Sequence, residues 1–317
     1  MLLLGCGWAS RIHSRTLARL GGIELFYASR DRARAEALRR RYRGRRAFGS
    51  YAAGLAHHDV DVAIVVTPTS THYELAARAL DAQKHVIVEK PAFMSPAELD
   101  RVSAIADANG RRVFVAENYY YKPIAEQLRH IIMGEELGAV RFIILNATRR
   151  QRWDGWRGDA ALSGGGAFFE AGVHWINLAS NLGLEVASVR AERVGALTGP
   201  DRSSLVTLRY MNGAVGTLTH SWELEAPFGG LRLSKVQGTH GAVTFESNGL
   251  GYVQTGRKRR LWLPLSGDPL GYRAMMHDFL HAIRNASAAR FTLEMARRDL
   301  TLLEAADASM RGVEIAM

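Results

Sequence analysis

Three short stretches of the 317-residue chain combine residue type and spacing in ways that could do chemistry. The first is Gly5-Cys6-Gly7-Trp8-Ala9-Ser10, which follows the apolar run Leu2–Leu4 and opens an amphipathic segment. In such a strand–turn–helix, the first glycine makes the tight turn and the second lets the backbone approach a pyrophosphate. The helix N-terminus then turns its N–H groups towards the anion. Ser10 stands where the pattern has glycine or alanine, and is still small enough for helix–strand packing. The reading is a dinucleotide site with Gly5, Gly7, Trp8, Ala9 and Ser10 around the phosphates. Some 20 residues further on, an NAD site places Asp or Glu on the ribose. Here the second apolar run ends Ala28-Ser29-Arg30-Asp31. A hydroxyl followed by a guanidinium suits a 2′-phosphate, and Arg30 can also stack on adenine. NADP is therefore expected over NAD, with Ser29, Arg30 and Arg34 at the adenosine end. The alternative gives Asp31 the ribose and leaves Arg30 solvated.

The second stretch is Glu89-Lys90-Pro91, directly after Val86-Ile87-Val88. Ligands of open α/β sheets lie beyond the carboxyl ends of the strands, so Lys90 is aimed at the cofactor cleft. Pro91 makes the backbone at Lys90 extended. An ammonium held near a reacting oxygen can donate a hydrogen bond and stabilise an alkoxide forming there. The third stretch runs from Gly164-Gly165-Gly166 to Glu170, His174 and Asn177. Residues four apart share a helical face, so Glu170 and His174 can meet one ligand. That spacing also admits a metal pair, but no third or fourth ligand accompanies it, and no metal is expected. Upstream, Trp153 and Trp156 flank polar groups in a way that suits a sugar ring, and Arg157 could clamp a carboxylate or phosphate. Simple packing of the two Trp residues against a sheet is equally compatible with the pattern.

Short aliphatic runs at Leu2–Leu4, 23–28, Val62–Val66, Val86–Val88 and Val113–Ala116 must position the first two stretches. They alternate with helical patterns near 9–20, 31–43, 70–82 and 95–109. Strict alternation implies an α/β fold, with an N-terminal Rossmann-like doubly wound parallel sheet over residues 1–118. Beyond it come a helix near 122–133, a strand near 139–148 and a helix near 168–182. Period-two runs follow at 186–196, 203–211, 214–224, 230–238, 241–246 and 250–255, with hairpin turns at 211–214 and 239–241. Residues 119–317 are thus expected to form an α+β substrate-binding and oligomerisation domain on a mostly antiparallel open sheet. Its closing helices, 272–312, are candidates to pack back on the first domain.

The net charge is +10, but of 41 basic residues 36 are Arg and five are Lys, scattered over the whole chain. No helix-turn-helix, zinc or RNA-binding signature accompanies them, so nucleic acid is not expected as a partner. Attraction of anionic cofactors or substrates is the more direct consequence. No apolar run approaches the roughly 20 residues of a membrane span, and no membrane partner is expected. The single cysteine, Cys6, allows no internal disulfide. A soluble cytoplasmic protein is the expectation.

Taken together these stretches resemble the glucose–fructose oxidoreductase / inositol dehydrogenase / MocA (Gfo/Idh/MocA) oxidoreductases. The resemblance is carried by the glycine turn, Val65-Val66-Thr67-Pro68-Thr69-Ser70-Thr71-His72, Lys84–Pro91, the segment from Gly164 to Asn177 and the closing helices. It implies that Thr67, Pro68, His72 and Glu89 lie beside the cofactor and that Asn118 meets the nicotinamide end. It implies a substrate pocket lined by Lys90, Asn118, Tyr119, Trp153, Trp156, Arg157, Glu170, His174 and Asn177. His174 would exchange the proton of a substrate hydroxyl, Lys90 would hold the same oxygen, and Glu170 would orient the imidazole or hold a neighbouring hydroxyl. Glu170 and Asn177 replace aspartates of the family pattern, which points to an altered pocket. Asn177 is read as a hydrogen-bonding replacement in a structural or sugar-contacting role. The implied activity is interconversion of a secondary alcohol and a ketone on a sugar, cyclitol or polyol, by a homodimer or homotetramer. Two other outcomes stay open: an NAD-dependent glycoside-cleaving relative with tightly held cofactor, and a non-catalytic dinucleotide sensor.

Overall fold

The computed structural model describes the chain except for residues 152–154, 156–158, 160, 161, 163, 197, 228, 229, 265, 266 and 313–317. The chain divides into two compact units, Met1–Glu117 with Tyr272–Arg297, and Asn118–Gly271 with Arg298–Met317.

In the first unit six strands form one parallel sheet: β1 (Leu2–Leu4), β2 (Phe26–Ala28), β3 (Arg46–Phe48), β4 (Val62–Val65), β5 (His85–Glu89) and β6 (Val113–Ala116). Their order is β3-β2-β1-β4-β5-β6. Strands β1, β2, β4 and β6 are buried along their whole length, and β5 through Val86–Val88, which is why they read as continuous apolar runs. The connecting helices are α1 (Trp8–Ala18), α2 (Arg32–Arg41), α3 (Tyr51–Leu55), α4 (His72–Asp81) and α5 (Pro96–Ala108). Helix α5 starts as its sequence predicts: the Glu98 N–H donates to Ser95 Oγ (3.4 Å), and Pro96 opens the first turn. Five parallel strands were expected and six are present. The additional one, β3, is three residues long and begins on exposed Arg46, so its periodicity is too short to register.

The second unit holds α6 (Pro123–Met133), β7 (Val140–Thr148) and α7 (Val173–Ser180). Seven more strands follow: β8 (Val186–Val194), β9 (Ser203–Tyr210), β10 (Val215–Ser221), β11 (Leu233–Gly238), β12 (Gly241–Glu246), β13 (Tyr252–Gly256) and β14 (Arg260–Trp262). They make a sheet in the order β14-β13-β12-β11-β7-β10-β9-β8. Every pair is antiparallel except β7 with β10, which run parallel. The hairpins β9–β10 and β11–β12 close at the turns the sequence marks. Two helices end the chain, α8 (Tyr272–Arg284), which packs on α1, and α9 (Leu293–Met310). No described helix is long and apolar enough to cross a membrane.

Candidate active site

In a parallel sheet the carboxyl ends of neighbouring strands share one edge, so the turns after β1, β4 and β5 lie side by side in the first unit. Gly5 has φ +110°, and a Cβ on it would lie 2.8 Å from the Val66 carbonyl oxygen, so only glycine fits where the two turns touch. Ser10 is buried and its hydroxyl donates to the Gly5 carbonyl (2.8 Å), which explains a serine at the third place of the motif. At Gly7 the space a Cβ would occupy is open, the N-terminus of α1 has no side-chain cap, and its first turn holds no acidic residue. Unsatisfied N–H groups beside open space are what a dinucleotide's pyrophosphate requires, so these residues fit the cofactor. Ala9 is half-buried in that first turn and Trp8 projects outward.

At the end of β2, Ser29 Oγ accepts the Asp31 N–H (3.1 Å), and Asp31 caps α2 through the Ala33 N–H (2.9 Å) and the Arg34 N–H (3.4 Å). The Arg34 guanidinium lies 3.3 Å from the other Asp31 oxygen. The carboxylate that could have taken the ribose is thus engaged with its own helix. Exposed Arg30 reaches the phenol of Tyr51, whose pKa burial raises and Arg30 pulls back.

Glu89 and Lys90 are positioned by a helical residue that carries no sequence motif. His13 on α1 is fully buried, and its Nε2 lies 2.6 Å from Glu89 Oε1. A carboxylate only accepts, so Nε2 donates. The other carboxylate oxygen accepts the Lys90 main-chain N–H (3.0 Å). Glu89, expected beside the cofactor, is here turned to the protein and fixes the backbone of Lys90, which is itself half-buried. His72 is likewise buried: Nε2 faces the Thr67 carbonyl (2.9 Å), and Nδ1 faces the Pro91 and Ala92 carbonyls (both 3.0 Å). It ties the loop after β4 to the loop after β5. The Thr71 hydroxyl closes the Thr67-Pro68 turn by bonding Thr67 Oγ1 and the Pro68 carbonyl (both 2.7 Å).

In the second unit Glu170 lies in a π-helical turn, Phe168–Gly172, that runs into α7 with His174. Such turns are rare and often sit at functional sites. Within it a Cβ on Gly172 would come within 2.4 Å of the Phe168 ring, which lies against the glycine. The turn is anchored by Asp201, a loop residue with no motif around it. The Phe168 N–H donates to Asp201 Oδ2 (2.9 Å) and the Ala167 N–H to the Asp201 carbonyl (2.9 Å). Burial raises the Asp201 pKa to about 6, with Asp307 adding to it and the Phe168 N–H opposing it. A carboxyl with a raised folded pKa favours the fold when protonated, so stability falls as pH rises from about 4 to about 6. The loss is on the order of 3 kcal/mol. D201N, which can still accept the Phe168 N–H, should therefore be more stable than the parent at pH 7 and lose that advantage near pH 4. Urea unfolding at the two pH values checks this.

Around His174, the Tyr119 ring stacks at 4.3 Å and 13°. The buried Lys122 ammonium lies 3.4 Å from the Tyr119 centroid. Trp175 meets Tyr119 edge-on at 5.6 Å, and the Arg232 guanidinium lies 5.4 Å from the Trp175 ring. His220 on β10 is fully buried. Burial lowers its pKa to about 4, with Glu170 opposing and Arg232 reinforcing the shift, so it is neutral near pH 7. Lys122, Arg232 and His220 carry no motif. One sits before a helix-opening proline, one among 36 arginines, and one in an alternating strand.

Two expected ligand contacts have partners within the protein. Asn177 is fully buried and donates through Nδ2 to Asp299 (2.7 Å), which also accepts from Ser180 (2.6 Å). Asn118 donates through Nδ2 to the Leu270 carbonyl (2.8 Å), leaving one amide hydrogen and its oxygen for any ligand. Trp153, Trp156 and Arg157 lie outside the described residues.

Two family models match the chain: an oxidoreductase family with NAD-binding Rossmann fold over residues 1–117, and the GFO/IDH/MocA C-terminal domain over 125–244. The chain belongs to the Gfo/Idh/MocA oxidoreductases. An uncharacterized oxidoreductase of Rhizobium meliloti is 32% identical over 64% of this chain and 62% of its own length. D-glucoside 3-dehydrogenase of Escherichia coli is 27% identical over 56% of this chain and 52% of its own. The chain therefore aligns with between half and two thirds of these Gfo/Idh/MocA relatives. Levoglucosan dehydrogenase in complex with NADH and levoglucosan superposes with a TM-score of 0.86 at 20% identity, covering 98% of this chain and 96% of that one, which establishes a shared fold.

Proposed function

We propose that this protein interconverts a secondary alcohol and a ketone on a sugar, cyclitol or related polyol, using NADP in preference to NAD. The observation that carries the reading is the chain from His13 through Glu89 to Lys90, which fixes an ammonium-bearing residue on the strand-end edge that also carries the glycine turn. The cofactor, bound at Gly5, Gly7 and the α1 N-terminus, supplies the hydride acceptor or donor. Lys90 holds the substrate oxygen and stabilises negative charge developing on it. His174 takes or returns the hydroxyl proton, with Tyr119 stacked beneath it to set its plane, and Glu170 orients the imidazole or a second hydroxyl. Of the proteins named above, one relative and one protein of the same fold act, by their names, on a glucoside and on levoglucosan, which supports a sugar-type substrate. A panel of polyols and keto-sugars, followed at the nicotinamide absorbance band with NADP and with NAD, tests the reading. Absorbance change that depends on added nucleotide supports a dehydrogenase. No change with any member, despite cofactor binding, would point to a sensor.

The cofactor preference rests on Asp31 being engaged with α2 while Ser29 and Arg30 end β2. Replacing Ser29 with Asp should set a carboxylate against a 2′-phosphate. The expected result is an NADPH dissociation constant weakened about 30-fold or more relative to NADH, read by fluorescence titration of both nucleotides.

Self-association through the open sheet face is part of the same proposal. Phe142 and Ile144 on β7, Leu233 on β11, Val253 on β13 and Leu261 on β14 are all exposed. Register sets Phe142 and Ile144 beside Val215 and Thr217, and Val253 beside Leu261, with Lys235 and Thr244 in the row between the two groups. Apolar sheet faces of this kind mark association surfaces. The double change Phe142→Lys, Ile144→Lys should convert a dimer or tetramer to a monomer in sedimentation velocity.

A further inference from the structure

Arg232, just before β11, is the one buried arginine among the described residues, 5% exposed. No carboxylate lies within 4 Å of its guanidinium among those residues. Its contacts are neutral: Nη2 donates to Asn248 Oδ1, the phenol of Tyr119 bonds it, and the Trp175 ring lies beneath. Nε is sealed from solvent with no partner among the described residues. The nearby carboxylate of Glu246 is engaged elsewhere. It accepts the Arg232 main-chain N–H (3.3 Å), the Asn248 side chain (2.9 Å) and the Asn248 N–H (2.8 Å). Arginine cannot shed its proton, so a full positive charge is held in a low-dielectric setting, with Glu246 acting on it only from beyond ion-pair distance. Such an arrangement costs stability unless something else supplies the negative charge.

The position of this charge indicates what that is. The Tyr119 ring bonded to Arg232 is the one stacked on His174, and Trp175 follows His174 in the chain. Arg232 and Glu170 also act in opposite directions on the charge of one buried imidazole, His220. We propose that Arg232 binds a carboxylate carried by the substrate, so that the sugar-type substrate of this site is a sugar acid. This rests on the reading under Proposed function. A guanidinium with no carboxylate at ion-pair distance suits a ligand with one negative charge, and its planar fork matches a carboxylate. A dianionic phosphate would add a second charge beside Glu170.

The test compares the full chain and R232M, each with NADP present, by calorimetry against D-glucuronate, D-galacturonate and their parent sugars. Unfolding temperatures are measured without sugar. At least one uronate should bind the parent protein about tenfold or more tighter than its neutral sugar, and R232M should erase that difference. Because an unpaired buried charge is removed, ligand-free R232M should unfold at a higher temperature than the parent. A lower unfolding temperature in R232M would show the guanidinium to be structural and overturn the proposal, even if no sugar of the set binds. Equal binding of acid and neutral members would overturn it as well. Turnover of neutral polyols without preference for acids refutes the sugar acid and leaves the dehydrogenase reading standing. Uronate binding lost in R232M, with no nicotinamide reduction by any polyol, does the reverse.

Discussion

Lys90→Met should lower turnover by about a thousandfold or more while changing the cofactor dissociation constant by no more than about threefold. The asymmetry follows from how the residue is held. Its main-chain N–H is fixed by Glu89, whose carboxylate is fixed by buried His13, so the backbone placement does not depend on the Lys90 side chain. The phosphates are assigned to another strand end, where Gly5 and Gly7 lead into α1. Methionine keeps most of the aliphatic stem and deletes the ammonium, so what is lost is charge stabilisation on the reacting oxygen. Single-turnover kinetics and nucleotide titration separate the two quantities. Unchanged turnover would falsify the role given to Lys90. A large loss of cofactor affinity would make it a binding residue instead.

What was legible in the sequence was whatever had a period or a punctuation mark. Buried parallel strands show as aliphatic runs, and Gly5 and Gly7 mark a turn whose geometry admits nothing larger at Gly5. Lys90 is marked by a strand before it and a proline after it. The residues that hold these groups in place were not legible, because their partners are remote in sequence. His13 meets Glu89 across 76 positions, Asp201 meets Phe168 across 33, and Asn177 meets Asp299 across 122. A histidine on a helix and an aspartate in a loop are each ordinary until the chain is folded. Glu170 could be placed on a face with His174, but α-periodicity does not show the π-helical turn in which it lies. Arg232 was hidden by number: 36 arginines carry no individual signal, and only burial sets one apart.

Gly166→Ala tests the framework of the second unit most severely. A Cβ there would lie 1.6 Å from Asp201 Oδ1 and 2.7 Å from the Asp201 main-chain nitrogen. Rotating the aspartate aside relieves the first contact but breaks the bond from the Phe168 N–H. The second involves backbone and can be relieved only by moving the segment. Overpacking of this kind costs about 1–3 kcal/mol. A displacement of about 1 Å in the turn bearing Glu170 should cost about a hundredfold in turnover. In a D201A background the side-chain clash and the capping bond are both already gone. There Gly166→Ala should cost less than in the parent, and the coupling should fall within roughly 0.5–3 kcal/mol. Strict additivity would mean that the alanine is accommodated without touching Asp201. Cofactor affinity supplies the control. Gly5, Gly7 and α1 belong to the first unit, so the nucleotide dissociation constant should be unchanged while turnover collapses. Parallel loss of both would show instead that the whole chain had failed to fold.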